Sequence, residues 1–175
     1  MDDDFDLTNL TKAKKTKKVN SRNKGNSFER KVALMLNNKF CTKEFCRSPG
    51  SGAFATTHNI PDHLKIYGDL ITPKDFKFCI ECKKGYNKEN IYSLFNKRSE
   101  VWKFIDQCEK DSQKCSKEPL VIFQQDRQKI LAIVRSNTFN IDIKKVDITR
   151  KSNNKYNTYT MYLLEDLLLL DDIWV

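Results

Sequence analysis

Two short apolar runs near the middle of the chain carry charge where a core-facing strand normally has none. They are Gly68-Asp69-Leu70-Ile71 and Ile80-Glu81-Cys82-Lys83-Lys84, separated by the turn-like Thr72-Pro73-Lys74-Asp75. Apolar runs of this length, bounded by Gly and Pro, read as strands, here over residues 66–71 and 77–83. A carboxylate or ammonium left unpaired in such a strand is strongly unfavourable. A divalent cation held by Asp69 and Glu81 is one way to remove that cost, and a cross-strand salt bridge between Asp69 and Lys83 is another. Glu81 and Lys83 are two apart and share a strand face. If the two runs form an antiparallel hairpin, Asp69 joins that face only when odd positions pair with odd. The spacing therefore predicts an odd-numbered loop or a bulge.

The chain has 175 residues, enough for one domain with its own core. Its 32 Lys and Arg exceed its 23 Asp and Glu, and the net charge of +9 points to a polyanionic partner, nucleic acid or an anionic membrane surface. No stretch is long and apolar enough to span a bilayer, and Met1-Asp2-Asp3-Asp4 lacks the layout of a signal peptide. The expectation is a soluble, cytoplasmic protein without membrane contact. In that compartment the six cysteines read as free thiols. Cys79 and Cys82 are three apart, so on a strand they face opposite ways and cannot converge on one ion. Neither G-x-G-x-x-G nor a P-loop occurs, which argues against a nucleotide cofactor.

Residues 1–24, an acidic tip followed by a lysine-rich stretch, read as a disordered tail, and 25–175 as a single domain. Phe28, Val32, Met35, Leu36 and Phe40 predict a helix starting near Asn26, with Asn26 and Glu29 as a capping box. A short strand over 44–47 leads into the loop Ser48-Pro49-Gly50-Ser51-Gly52, which continues to about Pro61. Val101, Phe104, Ile105 and Cys108 mark a second amphipathic helix over 97–114. Strands fit 119–123 and 130–134, turning through Gln125-Asp126-Arg127-Gln128. Weaker alternation follows over 141–148 and 156–162, and 163–170 reads as a last helix. This order predicts an α/β sandwich with a mixed central sheet flanked by helices.

Glu29 on the first helix, Gly68-Asp69, and Glu81-Cys82-Lys83 together resemble the PD-(D/E)xK nuclease pattern, nearest to archaeal and phage Holliday-junction resolvases. Gly25-Asn26-Ser27-Phe28-Glu29-Arg30, the loop from Arg47 to Gly52, Gln107 and the strand Pro119-Leu120-Val121-Ile122-Phe123 are similar in kind and order, over residues 25–134. The resemblance implies a restriction-endonuclease-like core and a Mg²⁺-dependent endodeoxyribonuclease, with Mn²⁺ able to substitute. It further implies cleavage of four-way junctions in DNA recombination and repair, by a homodimer acting on branched or duplex DNA. Carried over residue by residue, the catalytic set is Glu29, Asp69, Glu81, Lys83 and Gln107, with Ser48 or Ser51 from the loop. The metal set is Asp69, Glu81, the backbone carbonyl of Cys82, and Glu29. Oxygen donors of this kind suit Mg²⁺, whose shell is completed by waters and substrate phosphate. Lys83 would position or deprotonate the attacking water, or stabilise developing charge.

Bland readings stand beside several of these. Glu29 can be only the acid of its capping box, Gln107 a solvent-facing helix residue, and Ser48 and Ser51 loop filler. The pattern's Pro-Asp reads Gly68-Asp69 here, with a literal Pro61-Asp62 as competitor in a loop beside His63. Arg30, Lys31, Arg47, Lys84, Lys88, Lys97 and Arg98 flank the site elements and are candidates for phosphate contacts. Tyr86, Tyr92 and Trp102 read as core or interface rather than base-stacking platforms, and 91–95 or 163–170 could form a dimer interface. The alternatives are another PD-(D/E)xK endonuclease, of restriction or repair type, and a non-catalytic basic nucleic-acid-binding protein.

Overall fold

Phe28, Val32, Ala33 and Leu36 bury one face of α1 (Ser21–Lys39) against the sheet, as their helical spacing predicts. The computed structural model describes residues 21–49, 66–152 and 154–174. Residues 21–24 are already helical, so they belong to α1 and not to a tail, and Asn26 lies inside the helix where no cap is needed. That frees Glu29 from the predicted capping box. The remainder of the predicted tail lies outside the described residues.

After α1 come β1 (Cys46–Arg47), β2 (Leu70–Ile71), β3 (Phe78–Lys84), a 3-10 turn (Ile91–Phe95) and α2 (Glu100–Cys115). Then follow β4 (Glu118–Gln124), β5 (Leu131–Arg135), β6 (Lys145–Ser152), β7 (Lys155–Leu163) and the single-turn α3 (Leu164–Leu167). The main sheet has the order β3-β4-β5-β7-β6. β3 runs parallel to β4, with Glu81 opposite Val121, and the remaining neighbours are antiparallel. The parallel pair requires a crossover, which α2 supplies. Ser99 opens that helix by accepting from the Val101 amide, and Ser116, at φ 54°, closes it in the left-handed region.

This is the mixed, helix-flanked sheet that the sequence predicts, a restriction-endonuclease-like α/β core. One apolar layer, with Phe78, Ile80, Leu120 and Ile122, packs on α1 and the C-terminal segment. The other, with Phe104, Ile105, Val121 and Ile133, packs on α2. Trp174, fully buried, seals the first layer: its ring stacks on Phe76 and its Nε1 donates to the Leu170 carbonyl at 3.1 Å. The predicted helix over 163–170 shrinks to Leu164–Leu167, with Leu164 and Leu167 buried and Leu169 exposed.

The hairpin between residues 66–71 and 77–83 does not form. β2 pairs with β1 in a separate two-stranded sheet, with Cys46 opposite Ile71 and Arg47 opposite Leu70. β3 is an edge strand of the main sheet, and Asp69 reaches that edge through single hydrogen bonds rather than a ladder. The anticipated odd loop or bulge is therefore not what positions Asp69.

Candidate active site

Side chains alternate between the two sheet faces along β3, and both faces are covered. Phe78, Ile80 and Cys82 enter the layer against α1, whereas Cys79, Glu81 and Lys83 turn toward α2. The Cys108 thiol donates to the Cys79 carbonyl at 3.5 Å, and the Lys83 ammonium lies 5.7 Å from the centre of the Phe104 ring. Glu81 is 1% exposed, and the Lys83 ammonium closes on its Oε1 as an ion pair. Among the described residues no other donor reaches this buried oxygen, so the Lys83 ammonium is its one partner.

Gly68 brings Asp69 to this strand. Its φ of +78° is left-handed, and a Cβ there would stand 2.7 Å from the Ile80 carbonyl oxygen and 3.0 Å from Cys79 Sγ. Only glycine allows so close an approach, which accounts for Gly where the nuclease pattern has Pro. The Asp69 amide donates to the Ile80 carbonyl and the Cys82 amide donates to Asp69 Oδ2, each at 2.8 Å. A strand residue's N–H and C=O leave on the same side. The Cys82 carbonyl therefore also points out of the open edge, beside Asp69.

Ser48 fixes the other flank. Its amide donates to the Asp69 carbonyl at 2.9 Å and its hydroxyl to the Gly68 carbonyl at 3.0 Å. The serine is buried and is spent on backbone, which makes it a positioning residue for Asp69. Gly68→Ala is expected to lower stability by about 1–3 kcal/mol through a strained φ and a displaced β3 edge. A denaturant titration showing a lower midpoint at unchanged slope would record it.

Glu29 is buried on α1, and its Oε2 accepts from Arg47 Nε at 2.5 Å. Burial raises its pKa, Asp69 adds to the rise, and Arg47 and Lys83 oppose it. Burial likewise pushes the Glu81 carboxyl up to about 8, with Asp69 adding and Lys83 opposing. For Lys83, burial works toward the neutral amine, but Glu81 and Asp69 outweigh it and hold the ammonium above its usual range. The directions agree once the charges are counted. Glu29, Asp69 and Glu81 face Arg47 and Lys83, so full ionisation leaves an excess of one negative charge. The Glu81 carboxyl is pushed toward its protonated form, and Lys83 toward its ammonium.

These observations fit a small divalent cation. The donors at the β3 edge are all oxygen: Asp69, Glu81 and the Cys82 carbonyl. Burial, with Asp69 and Glu81 nearby, holds the Cys82 thiol well above its ordinary range, so its sulfur is not a thiolate donor. Among the described residues no group of three His, Cys, Asp or Glu side chains stands ready to hold a metal. Glu29 in particular is tied to Arg47. Two carboxylates and a carbonyl still form the sparse, oxygen-only set that Mg²⁺ takes when waters and phosphate complete its shell.

The other predicted residues distribute unevenly. Gln107 is exposed on α2, one helical turn from Asp111, in a cleft of about 350 Å³ that Lys110 and Lys114 also line. Asp111 adds to the field that raises Glu81, and the sequence reading passed over it. Its place on the Phe104–Gln107–Asp111 stripe of α2 was the available signal. Lys84 points to the opposite sheet face from Glu81, lying 5.6 Å from the Phe28 ring and donating to Gln124 Oε1 at 2.6 Å. Arg30, Lys31, Lys88, Lys97 and Arg98 are exposed, whereas Arg47 is half-buried against Glu29. Ser51, Asp62 and His63 lie outside the described residues. All six cysteines are free, with Cys79 and Cys82 on opposite strand faces. Among the described residues no helix is long and apolar enough to cross a membrane.

A family model described as "Phage putative PDDEXK endonuclease" matches residues 20–172. The chain is similar to Protein D14 of Escherichia phage T5, 33% identical over 130 residues that cover 71% of this chain and 76% of that protein. No solved structure matches.

Proposed function

The chain belongs to the phage PDDEXK endonuclease family, and from that premise we propose that it hydrolyses DNA phosphodiester bonds with Mg²⁺, preferring four-way junctions. The observation that carries the metal-dependent reading is the pair of buried carboxylates, Glu81 and Asp69, brought together at an open strand edge with only the Lys83 ammonium on Glu81 Oε1. Asp69, Glu81 and the Cys82 carbonyl would hold the ion. The chemistry it supplies when bound is Lewis acidity toward phosphate and water. Around it the chain's own groups divide the work. Lys83, kept as an ammonium, orients the attacking water and offsets charge building on the phosphoryl oxygens. Glu29 holds Arg47 beside the carboxylates, where its guanidinium meets an incoming phosphate. Gln107 borders the same face from α2. Exposed Lys and Arg neutralise backbone phosphates without reading sequence, in keeping with the net charge of +9.

The junction preference rests on the order of motifs shared with Holliday-junction resolvases, and with it goes a homodimer whose two sites nick opposed strands. The test compares a four-way junction with a linear duplex of the same arms, with Mg²⁺ and with EDTA. Paired nicks in the junction, faster than any cut in the duplex and absent in EDTA, are expected. A preference for the linear duplex moves the reading to a restriction- or repair-type enzyme. Metal-independent binding without cutting ends the nuclease reading.

A further inference from the structure

The 3-10 turn between β3 and α2 presents large apolar side chains to solvent: Ile91 is 66%, Tyr92 81% and Phe95 87% exposed. An isolated exposed apolar residue needs no explanation, but three in five residues form a patch. The turn is also held firmly. Asn90 and Ser93 form a reciprocal capping box, and the Trp102 indole donates to the Leu94 carbonyl at 2.9 Å. Gln125 Nε2 donates to the Glu89 carbonyl at 2.6 Å, while Leu94 packs on the apolar layer under α2. That layer includes Phe104, the ring over which Lys83 lies, so the patch and the catalytic strand share one support. In a 3-10 helix side chains three apart eclipse, which sets Tyr92 and Phe95 on one side about 6 Å apart along the axis.

Exposed Lys88, Lys97 and Arg98 flank these rings. On a two-fold interface each residue meets whichever residue the symmetry sets opposite it, so sedimentation of wild type and variant is what separates a second copy from a polyanion. A polyanion meets these basic groups favourably, and rings set among cations match the way unpaired nucleotides are held, with bases on aromatic faces and phosphates on Lys and Arg. We propose that Tyr92 and Phe95 form a stacking platform for bases that have lost a stacking neighbour, as at a strand branch. A continuous duplex hides its base faces and would meet only the cations, so the platform supplies preference for interrupted DNA. It rests on the nuclease reading above; Tyr92, 81% exposed, does not lie in the core.

Both rings are exposed, so Tyr92→Ala/Phe95→Ala should fold normally. Binding of wild type and variant is compared by fluorescence anisotropy with Ca²⁺ in place of Mg²⁺, on a four-way junction and on a continuous duplex. The expected loss on the junction is about 10- to 100-fold, at least several times the loss on the duplex, and Tyr92→Phe/Phe95→Trp restores it. Equal losses on both substrates, or none, overturn the platform. So does a wild type that sediments as a dimer while the double alanine variant sediments as a monomer, since the patch is then an interface between copies. The two readings fail separately: a wild type that cuts no DNA in Mg²⁺ removes both, and one that cuts junctions as well with the rings as without removes only the platform.

Discussion

Glu81→Gln is expected to leave a folded protein whose Mg²⁺-dependent cutting falls by about 10³-fold or more. Gln keeps the volume and one oxygen but cannot supply a charged ligand. Loss of a metal ligand removes several kcal/mol of transition-state stabilisation, and about 1.4 kcal/mol is tenfold in rate. DNA binding, carried by the exposed cations, should change little, and a gel shift in EDTA separates the two effects. The same substitution tests the electrostatics of the metal-free fold. Glu81 holds its proton up to about pH 8 in the folded chain but releases it near 4.5 when unfolded. Between those values the folded state binds more protons, so stability falls as pH rises through the window and levels off above it. Thermal melts of the EDTA-treated wild type should show this downward slope, and Glu81→Gln should flatten it. Added Mg²⁺ should raise the wild-type melting temperature most at the alkaline end, where the ion meets a carboxylate already ionised. A wild type whose metal-free stability rises from pH 5 to 8 would contradict the assignment.

Lys83→Gln is expected to lower kcat by about 10²- to 10⁴-fold, the range for a group acting directly on the transferred proton or developing charge. Glu81 and Asp69 hold this ammonium charged. An ammonium has no lone pair with which to take a proton from water, so the proposed role of Lys83 is to orient water and offset charge. Lys83→Arg keeps the charge while giving up any capacity as a base. It should recover a substantial part of the activity that Lys83→Gln loses, and single-turnover cleavage of both variants at saturating Mg²⁺ measures this. Equal loss in the two variants would assign Lys83 to proton abstraction instead. In the metal-free state Lys83→Gln also strips Glu81 of its counter-charge. Its destabilisation should grow above pH 8, where a buried carboxylate without its partner costs about 3–5 kcal/mol.

Residue type and spacing made much of this legible. The Glu81–Lys83 pair shares a face because strand side chains alternate, whichever strand lies beside them. Phe28, Val32 and Leu36 mark α1, and Phe104, Ile105 and Cys108 mark α2, because periodicity of 3.6 survives any packing. The mixed sheet followed from that order of helices and strands. Boundaries failed where tertiary packing overrode local signals. Asn26 and Glu29 look like a cap, yet α1 already runs at Ser21 and gives Glu29 to Arg47.

Asp69 marks the limit of the sequence. Its charge within an apolar run flagged it, and a hairpin was the simplest local route to Glu81. The chain instead pairs β2 with β1, lays β3 parallel to β4, and delivers Asp69 to the open edge through the left-handed Gly68 and the hydroxyl of Ser48. Those contacts join residues 11 to 21 positions apart, and no local propensity encodes them. The sequence by itself determined which groups are candidates for chemistry, because that depends on residue type and on strand alternation. Only the tertiary structure decided how they meet, because a strand edge becomes a site through whichever segment happens to cover it.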